Sequence, residues 1–158
     1  MDLFSKLRTM NILLIDDDEW IRHSMDVFFE FEGCNLHTLE TAEEGLEELK
    51  RQDYQVIIVD YRLPGMDGLE FLKLIQASSL HKIKILITAY GSKDIMSKAH
   101  ELGVRDVIKK PFTIDSIEES LWRLLKEREQ KIWSLKSRIP KGVVVWEKIK
   151  ASQIYSAH

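Results

Sequence analysis

A single cysteine, Cys34, leaves the 158-residue chain without an internal disulfide or a cysteine-based zinc cluster. Three prolines and seven glycines are too few for a collagen-like or low-complexity polypeptide. No apolar run approaches the ~18 residues of a membrane span, and Met1-Asp2-Leu3-Phe4-Ser5-Lys6 lacks the apolar core of a signal peptide. The compartment expected of such a chain is the reducing cytoplasm. Neither Gly-x-Gly-x-x-Gly nor Gly-x-x-x-x-Gly-Lys occurs, so a nucleotide-binding enzyme has no phosphate loop to rest on. The five histidines, His23, His37, His81, His100 and His158, are scattered and read as surface or structural residues. What remains is an ordinary globular composition, 44% apolar and 31% charged, with a length that suits one domain and some residues to spare.

The net charge of −3 hides an asymmetry. Lys126 to Lys150 holds eight basic residues against three acidic ones, a balance of +5. The preceding residues hold 15 basic and 23 acidic ones, a balance of −8. An acidic body therefore carries a basic C-terminal extension.

Within the body, Ile12-Leu13-Leu14-Ile15 reads as a strand buried on both faces, and it ends abruptly in Asp16-Asp17-Asp18. Asp18 is placed to cap a helix bearing Ile21, Met25 and Phe28, which Gly33 stops. Leu36–Leu39 is a weaker strand. Thr41 and Glu44 have the spacing of a capping box ahead of Ala42, Leu46 and Leu49. Val56–Val59 repeats the first pattern and ends in Asp60. Leu63-Pro64-Gly65-Met66-Asp67-Gly68 is turn chemistry, followed by a helical face of Leu69, Leu72 and Ile75. Ile83–Ile87 is another buried strand, ending at Thr88. Ser92 then caps a helix with Ile95, Ala99 and Leu102 that stops at Gly103. Val107-Ile108 runs into Lys109-Lys110-Pro111, and Asp115 with Glu118 is the expected start of a last helix carrying Ile117, Leu121 and Leu124. Five strand–helix alternations with crossovers long enough to be helical predict an α/β fold, a doubly wound five-stranded parallel sheet with helices on both faces.

In such a sheet the working crevice lies at the carboxyl ends of the strands. Asp16, Asp17, Asp60, Thr88 and Lys110 all fall there. Carboxylates gathered in one pocket repel, and a divalent cation resolves the repulsion. Oxygen ligands with room for water suit Mg²⁺. An acid pair, a third acid, a hydroxyl and a lysine fit a site that forms and holds a phosphoryl group, with Asp60 as nucleophile.

Taken together, Ile12-Leu13-Leu14-Ile15-Asp16-Asp17, Val59-Asp60-Tyr61-Arg62-Leu63-Pro64-Gly65-Met66-Asp67-Gly68, Ile87-Thr88-Ala89 and Lys110-Pro111-Phe112 resemble the receiver domain of bacterial two-component response regulators, over about residues 11–126. The resemblance implies a flavodoxin-like sheet of order 2-1-3-4-5. It implies that Asp60 accepts phosphate from a phosphohistidine on a sensor kinase or phosphotransfer protein, and that Thr88 and Lys110 contact the phosphoryl oxygens. Mg²⁺ would be bound by the side chains of Asp17 and Asp60 and the backbone carbonyl of Arg62, with Asp16 assisting. Phosphorylation would draw Thr88 and its loop inward and remodel a surface for a downstream protein target. One position departs from the family: residue 107, usually aromatic and three before the lysine, is Val, which cannot signal by swinging a ring in or out.

Residues 127–158 form the extension, expected to be helical to about residue 138. Leu121, Leu125, Arg128, Ile132, Leu135 and Ile139 alternate at spacings of four and three, a heptad-like seam. Trp122, Trp133 and Trp146 lie in this last quarter of the chain, and Val143-Val144-Val145-Trp146 reads as a strand or a further helix. The seam either packs on its own domain or meets a second copy, as a homodimer, or another partner. The extension is too short for an ordinary output domain. The leading expectation is thus a stand-alone phosphoacceptor acting through protein contacts. The alternatives are a receiver fragment of a longer transcription regulator or hybrid kinase, and a phosphatase with an Asp nucleophile, although Arg62 stands where that class has its second acid. Nucleic-acid binding by the basic tail is the least favoured and would show steep salt dependence.

Overall fold

The computed structural model describes residues 2–142. Five parallel strands, β1 (Asn11–Ile15), β2 (Asn35–Leu39), β3 (Val56–Asp60), β4 (Ile83–Thr88) and β5 (Asp106–Lys109), pair in the order β2-β1-β3-β4-β5. They alternate with helices α2 (Glu19–Phe31), α3 (Ala42–Arg51), α4 (Gly68–Leu74), α5 (Lys93–Glu101) and α6 (Ile114–Ser137); α1 (Leu3–Leu7) precedes the sheet and a 3-10 turn, Gln76–Ser78, follows α4. This is the doubly wound α/β fold expected from the sequence, with β1 at the centre of the strand-order reversal, flanked by β2 and β3.

The two faces of the sheet follow from side-chain alternation. Ile12, Leu14, Val56, Ile58, Ile85 and Ile87 point into the layer built by Met25, Phe29, Ile117 and Leu121 of α2 and α6. Leu13, Ile15, Ile57, Val59 and Leu86 point into the layer built by Ala42, Phe71, Leu72 and Ala99 of α3, α4 and α5. Each such leucine or isoleucine contributes roughly 1.5–3 kcal/mol by leaving water, which explains why the central strands are continuous apolar runs.

The helix starts are local chemistry. The Asp18 carboxylate accepts from the backbone N–H of Trp20 and Ile21, Thr41 and Glu44 close a capping box, and Ser92 accepts from Ile95. Gly33 and Gly103 end α2 and α5 at φ of 71° and 80°, where a side chain would be strained. Two features differ from the sequence reading. The cap of α6 is Thr113 with Ser116, not Asp115 with Glu118, because the chain turns into the helix two residues earlier. Residues Leu3–Leu7, for which no element was expected, form α1; Leu7 is fully buried, and Leu3 and Phe4 pack beside it.

Helix α6 is one continuous helix of 24 residues. Its first half lies on the sheet, and its second half carries the exposed Trp133 and Leu135. α1 braces it: Lys6 pairs with Glu129 at 2.7 Å and lies over the Trp122 ring, which Lys126 covers as well. The expected strand or helix at Val143–Trp146 lies outside the described residues. Among those described, no helix is long and apolar enough to cross a membrane.

Candidate functional site

β1 delivers Asp16 and Asp17, β3 ends on Asp60, β4 ends on Thr88, and Lys110 follows β5, so parallel strands bring all five residues to one edge. Gly68, the first residue of α4, lies against this edge: a Cβ there would fall 2.3 Å from the Asp60 carbonyl oxygen, so only glycine lets α4 start so close to β3. Asp67 caps that helix in a box with Glu70.

Oxygens of Asp16, Asp17 and Asp60 lie within 4.8 Å of one another, with Asp16 and Asp60 buried and Asp17 exposed. The Lys110 ammonium donates to Asp60 Oδ2 at 2.9 Å and lies 3.0 Å from Asp16 Oδ2. Asp16 Oδ1 accepts from the Asp18 backbone N–H, whereas the buried Oδ2 has the Lys110 ammonium as its ion-pair partner but no well-directed hydrogen bond. Burial pushes the Asp60 carboxyl up to about 6, with the charge of Asp16 adding to it and the Lys110 bond opposing. Burial raises Asp16 also. Burial alone would lower Lys110, but its contacts with the Asp60 and Asp16 carboxylates outweigh this and raise it.

These observations test the fit of a metal. Three carboxylates against one ammonium leave two uncompensated negative charges, and the buried Asp16 Oδ2 has an ion pair but no well-directed hydrogen bond. The donor set is all hard oxygen. The cluster is able to coordinate a divalent cation.

Thr88 is nearby but engaged elsewhere. Its hydroxyl donates to the Tyr90 carbonyl at 3.0 Å and accepts the Tyr90 N–H at 2.9 Å. The exposed Arg62 guanidinium lies 4.5 Å from the centre of the Tyr90 ring. The Lys110–Pro111 peptide is cis, and the Lys110 N–H donates to the Thr88 carbonyl at 2.8 Å. Val107 is half-buried on β5 and packs into the layer beneath α5. Beside the acids, Trp20, Ile21, Met25, Lys110, Pro111 and Phe112 line a mostly apolar cleft of about 540 Å³. Sequence reading missed this cleft, since only the fold joins the start of α2 to the turn after β5; the one available signal was a tryptophan two residues beyond the Asp18 cap.

Comparison with known proteins agrees with this geometry. Residues 12–121 match the response regulator receiver domain family. The chain is 31% identical over 114 residues to sporulation initiation phosphotransferase F of Bacillus subtilis, covering 72% of this chain and 92% of that one. It is 36% identical over 110 residues to the cell cycle response regulator CtrA of Brucella ovis, covering 68% and 47%. It is 31% identical over 119 residues to a cyclic di-GMP phosphodiesterase of Thermotoga maritima, covering 75% and 32%. The chain thus spans about a third of that phosphodiesterase and about half of CtrA, but nearly all of the sporulation protein. Among solved structures, a CheY-like receiver domain from Methanospirillum hungatei is similar at a TM-score of 0.72 and 30% identity, over 77% of this chain and 98% of that one. The beryllofluoride-activated NtrC4 receiver domain dimer is similar at 0.69 and 30%, over 75% and 98%. The chain belongs to the receiver domain family of response regulators, the phosphoacceptor modules of two-component signalling. The receiver domain itself acts on its own phosphoryl group; activities of the longer relatives belong to their other parts.

Proposed function

We propose that Asp60 is the phosphoacceptor and that Mg²⁺ is the cation, held by the side chains of Asp16, Asp17 and Asp60 and the backbone carbonyl of Arg62. The observation that carries this reading is the Asp16–Lys110–Asp60 bridge at the sheet edge, with the exposed Asp17 carboxylate beside it. A carboxylate oxygen of Asp60 attacks the phosphorus of a phosphohistidine on a sensor kinase or phosphotransfer protein. The P–N bond breaks, its electron pair returns to the imidazole, and that nitrogen takes up a proton. Bound Mg²⁺ neutralises charge on the transferred oxygens. Lys110, already at the acid edge, pairs with a phosphoryl oxygen, and the Thr88 hydroxyl donates to another. Residues 11–126 act as the receiver, and residues 127–158 form an extension through which a second copy or a downstream target is met. The apolar cleft of Trp20 and Phe112 beside Lys110 suits the landing of the donor protein.

Mass spectrometry after incubation with Mg²⁺ and acetyl phosphate tests the assignment. One phosphoryl group is expected on the wild type and none on Asp60→Asn; equal labelling of the two rejects Asp60. A second reading, a receiver module of a longer regulator or hybrid kinase, is supported by relatives such as CtrA and the phosphodiesterase, of which this chain spans less than half. The mass of the protein expressed from its native gene decides between them.

A further inference from the structure

A receiver needs a group that reports phosphorylation at its surface, and the aliphatic Val107, packed into the layer beneath α5, is a poor candidate. We propose that Tyr90 carries this signal, clamped in the unphosphorylated protein by the Thr88 hydroxyl and the Arg62 guanidinium and released when a phosphoryl group on Asp60 takes both. The inference rests on the assignment of Asp60 as phosphoacceptor.

Both anchors are visible. The Thr88 hydroxyl accepts the Tyr90 N–H and donates to the Tyr90 carbonyl, which fixes the backbone of the residue. The Arg62 guanidinium lies over its ring, which fixes the side chain. A hydroxyl has one proton to donate. If Thr88 donates to a phosphoryl oxygen, the Tyr90 carbonyl loses that bond. Arg62 stands two residues after Asp60, and a doubly charged phosphoryl group is a stronger partner for a guanidinium than a neutral, solvent-exposed ring. One event at Asp60 therefore competes for both anchors.

Little else restrains the residue. Tyr90 is 48% exposed, and its neighbours Ala89, Gly91 and Ser92 are exposed as well. The displacement has a direct outlet, because Ser92 caps α5 through the Ile95 N–H. A shift at Tyr90 is thus delivered to the first turn of α5, whose Met96 is 44% exposed. Arg62 and Tyr90 act here as positioning residues: they bias the Thr88 loop and do not perform the transfer.

The test uses the full chain labelled with fluorotyrosine, with the Tyr90 resonance assigned from its loss in Tyr90→Phe. Beryllofluoride with Mg²⁺ is added as the phosphoryl mimic, and acetyl phosphate labelling is followed in parallel by mass spectrometry. The Tyr90 resonance is expected to shift in the wild type, while that of the buried Tyr54 stays in place. In Thr88→Val the resonance of the free protein is already displaced and its response is lost; Thr88→Ser, which keeps the hydroxyl, restores it. In Arg62→Gln the free resonance moves and the response shrinks. A phosphorylated Asp60 with an unmoved Tyr90 resonance, or an undiminished response in Thr88→Val, overturns this inference alone. Absence of the mass increment on the wild type overturns the phosphoacceptor assignment and this inference with it.

Discussion

At the scale of single residues, the acids that make the site useful make the metal-free protein less stable. The Asp60 carboxyl is pushed up to about 6 in the folded state, above its ordinary 3.8. The folded protein therefore binds the proton more tightly than the unfolded chain does. The favourable contribution of this group is complete below about pH 4 and is lost as pH rises through about 6. Without divalent cation, Asp60→Asn should accordingly be more stable than the wild type by on the order of 1 kcal/mol at pH 7, after allowance for solvent screening. That advantage should vanish near pH 4. Urea unfolding at both pH values in chelator measures it, and an advantage independent of pH would mean that the strain lies elsewhere. Adding Mg²⁺ should raise the melting temperature of the wild type more than that of the variant. The Arg62–Tyr90 pair makes a separate prediction. A cation over an exposed ring is worth ~0.5–1 kcal/mol, and that pair must break when Asp60 is phosphorylated, so Tyr90→Ala should speed labelling by acetyl phosphate about two- to fivefold. Tyr90→Phe, which keeps the ring, should stay near the wild-type rate. Labelling rates with acetyl phosphate and Mg²⁺, followed by mass spectrometry, compare the three.

At the scale of elements, the end of each strand matters more than its middle, and it is also what could be read in advance. The runs Ile12–Ile15, Val56–Val59 and Ile83–Ile87 announce buried strands, and each is followed within a residue by a polar group that the parallel sheet carries to one edge. Asp16, Asp17, Asp60 and Thr88 were legible for that reason, and Lys110 from its place after the shorter run Val107-Ile108. Three things were not. α1 is a five-residue helix whose order comes from packing Leu7 into the core, a tertiary effect that a short polar-flanked segment does not display. The cap at Thr113 competed with an equally plausible acid two residues on. The cleft beside Lys110 unites α2 with the turn after β5, which are far apart in sequence. The cleft has a testable consequence. Trp20 is 80% exposed on α2, an expensive place for an indole unless a partner covers it. Trp20→Ala should slow phosphotransfer from a phosphohistidine protein by tenfold or more, as a lost aromatic anchor worth ~1.5–2 kcal/mol implies. Labelling by acetyl phosphate, which is too small to reach across the cleft, should be unchanged. If both donors slow equally, Trp20 serves the fold of the site and not the docking of a partner.

For the molecule as a whole, the decisive feature is that an acidic body is followed by a basic segment, whose first residues continue α6 to Ser137. Helix α6 passes beyond the region matched to the family, and Trp133 and Leu135 on it are 72% and 49% exposed. The Lys6–Glu129 pair and the packing of Lys6 on Trp122 join the base of this arm to α1. Covering three or four apolar side chains at ~1.5–3 kcal/mol each is enough to support association after its entropic cost. The full chain is therefore expected to self-associate in sedimentation at high concentration, and a chain ending at Lys126 is expected to remain monomeric. Salt dependence then tells how the copies meet. If two arms pack along the Ile132–Leu135–Ile139 stripe, Lys131 and Arg138 bring like charges together, and added salt strengthens the complex by screening them. If instead each basic arm lies on the acidic body of its neighbour, added salt weakens it. A full chain that stays monomeric at every salt concentration, with and without phosphoryl group, would show that the arm neither meets a second copy nor depends on one.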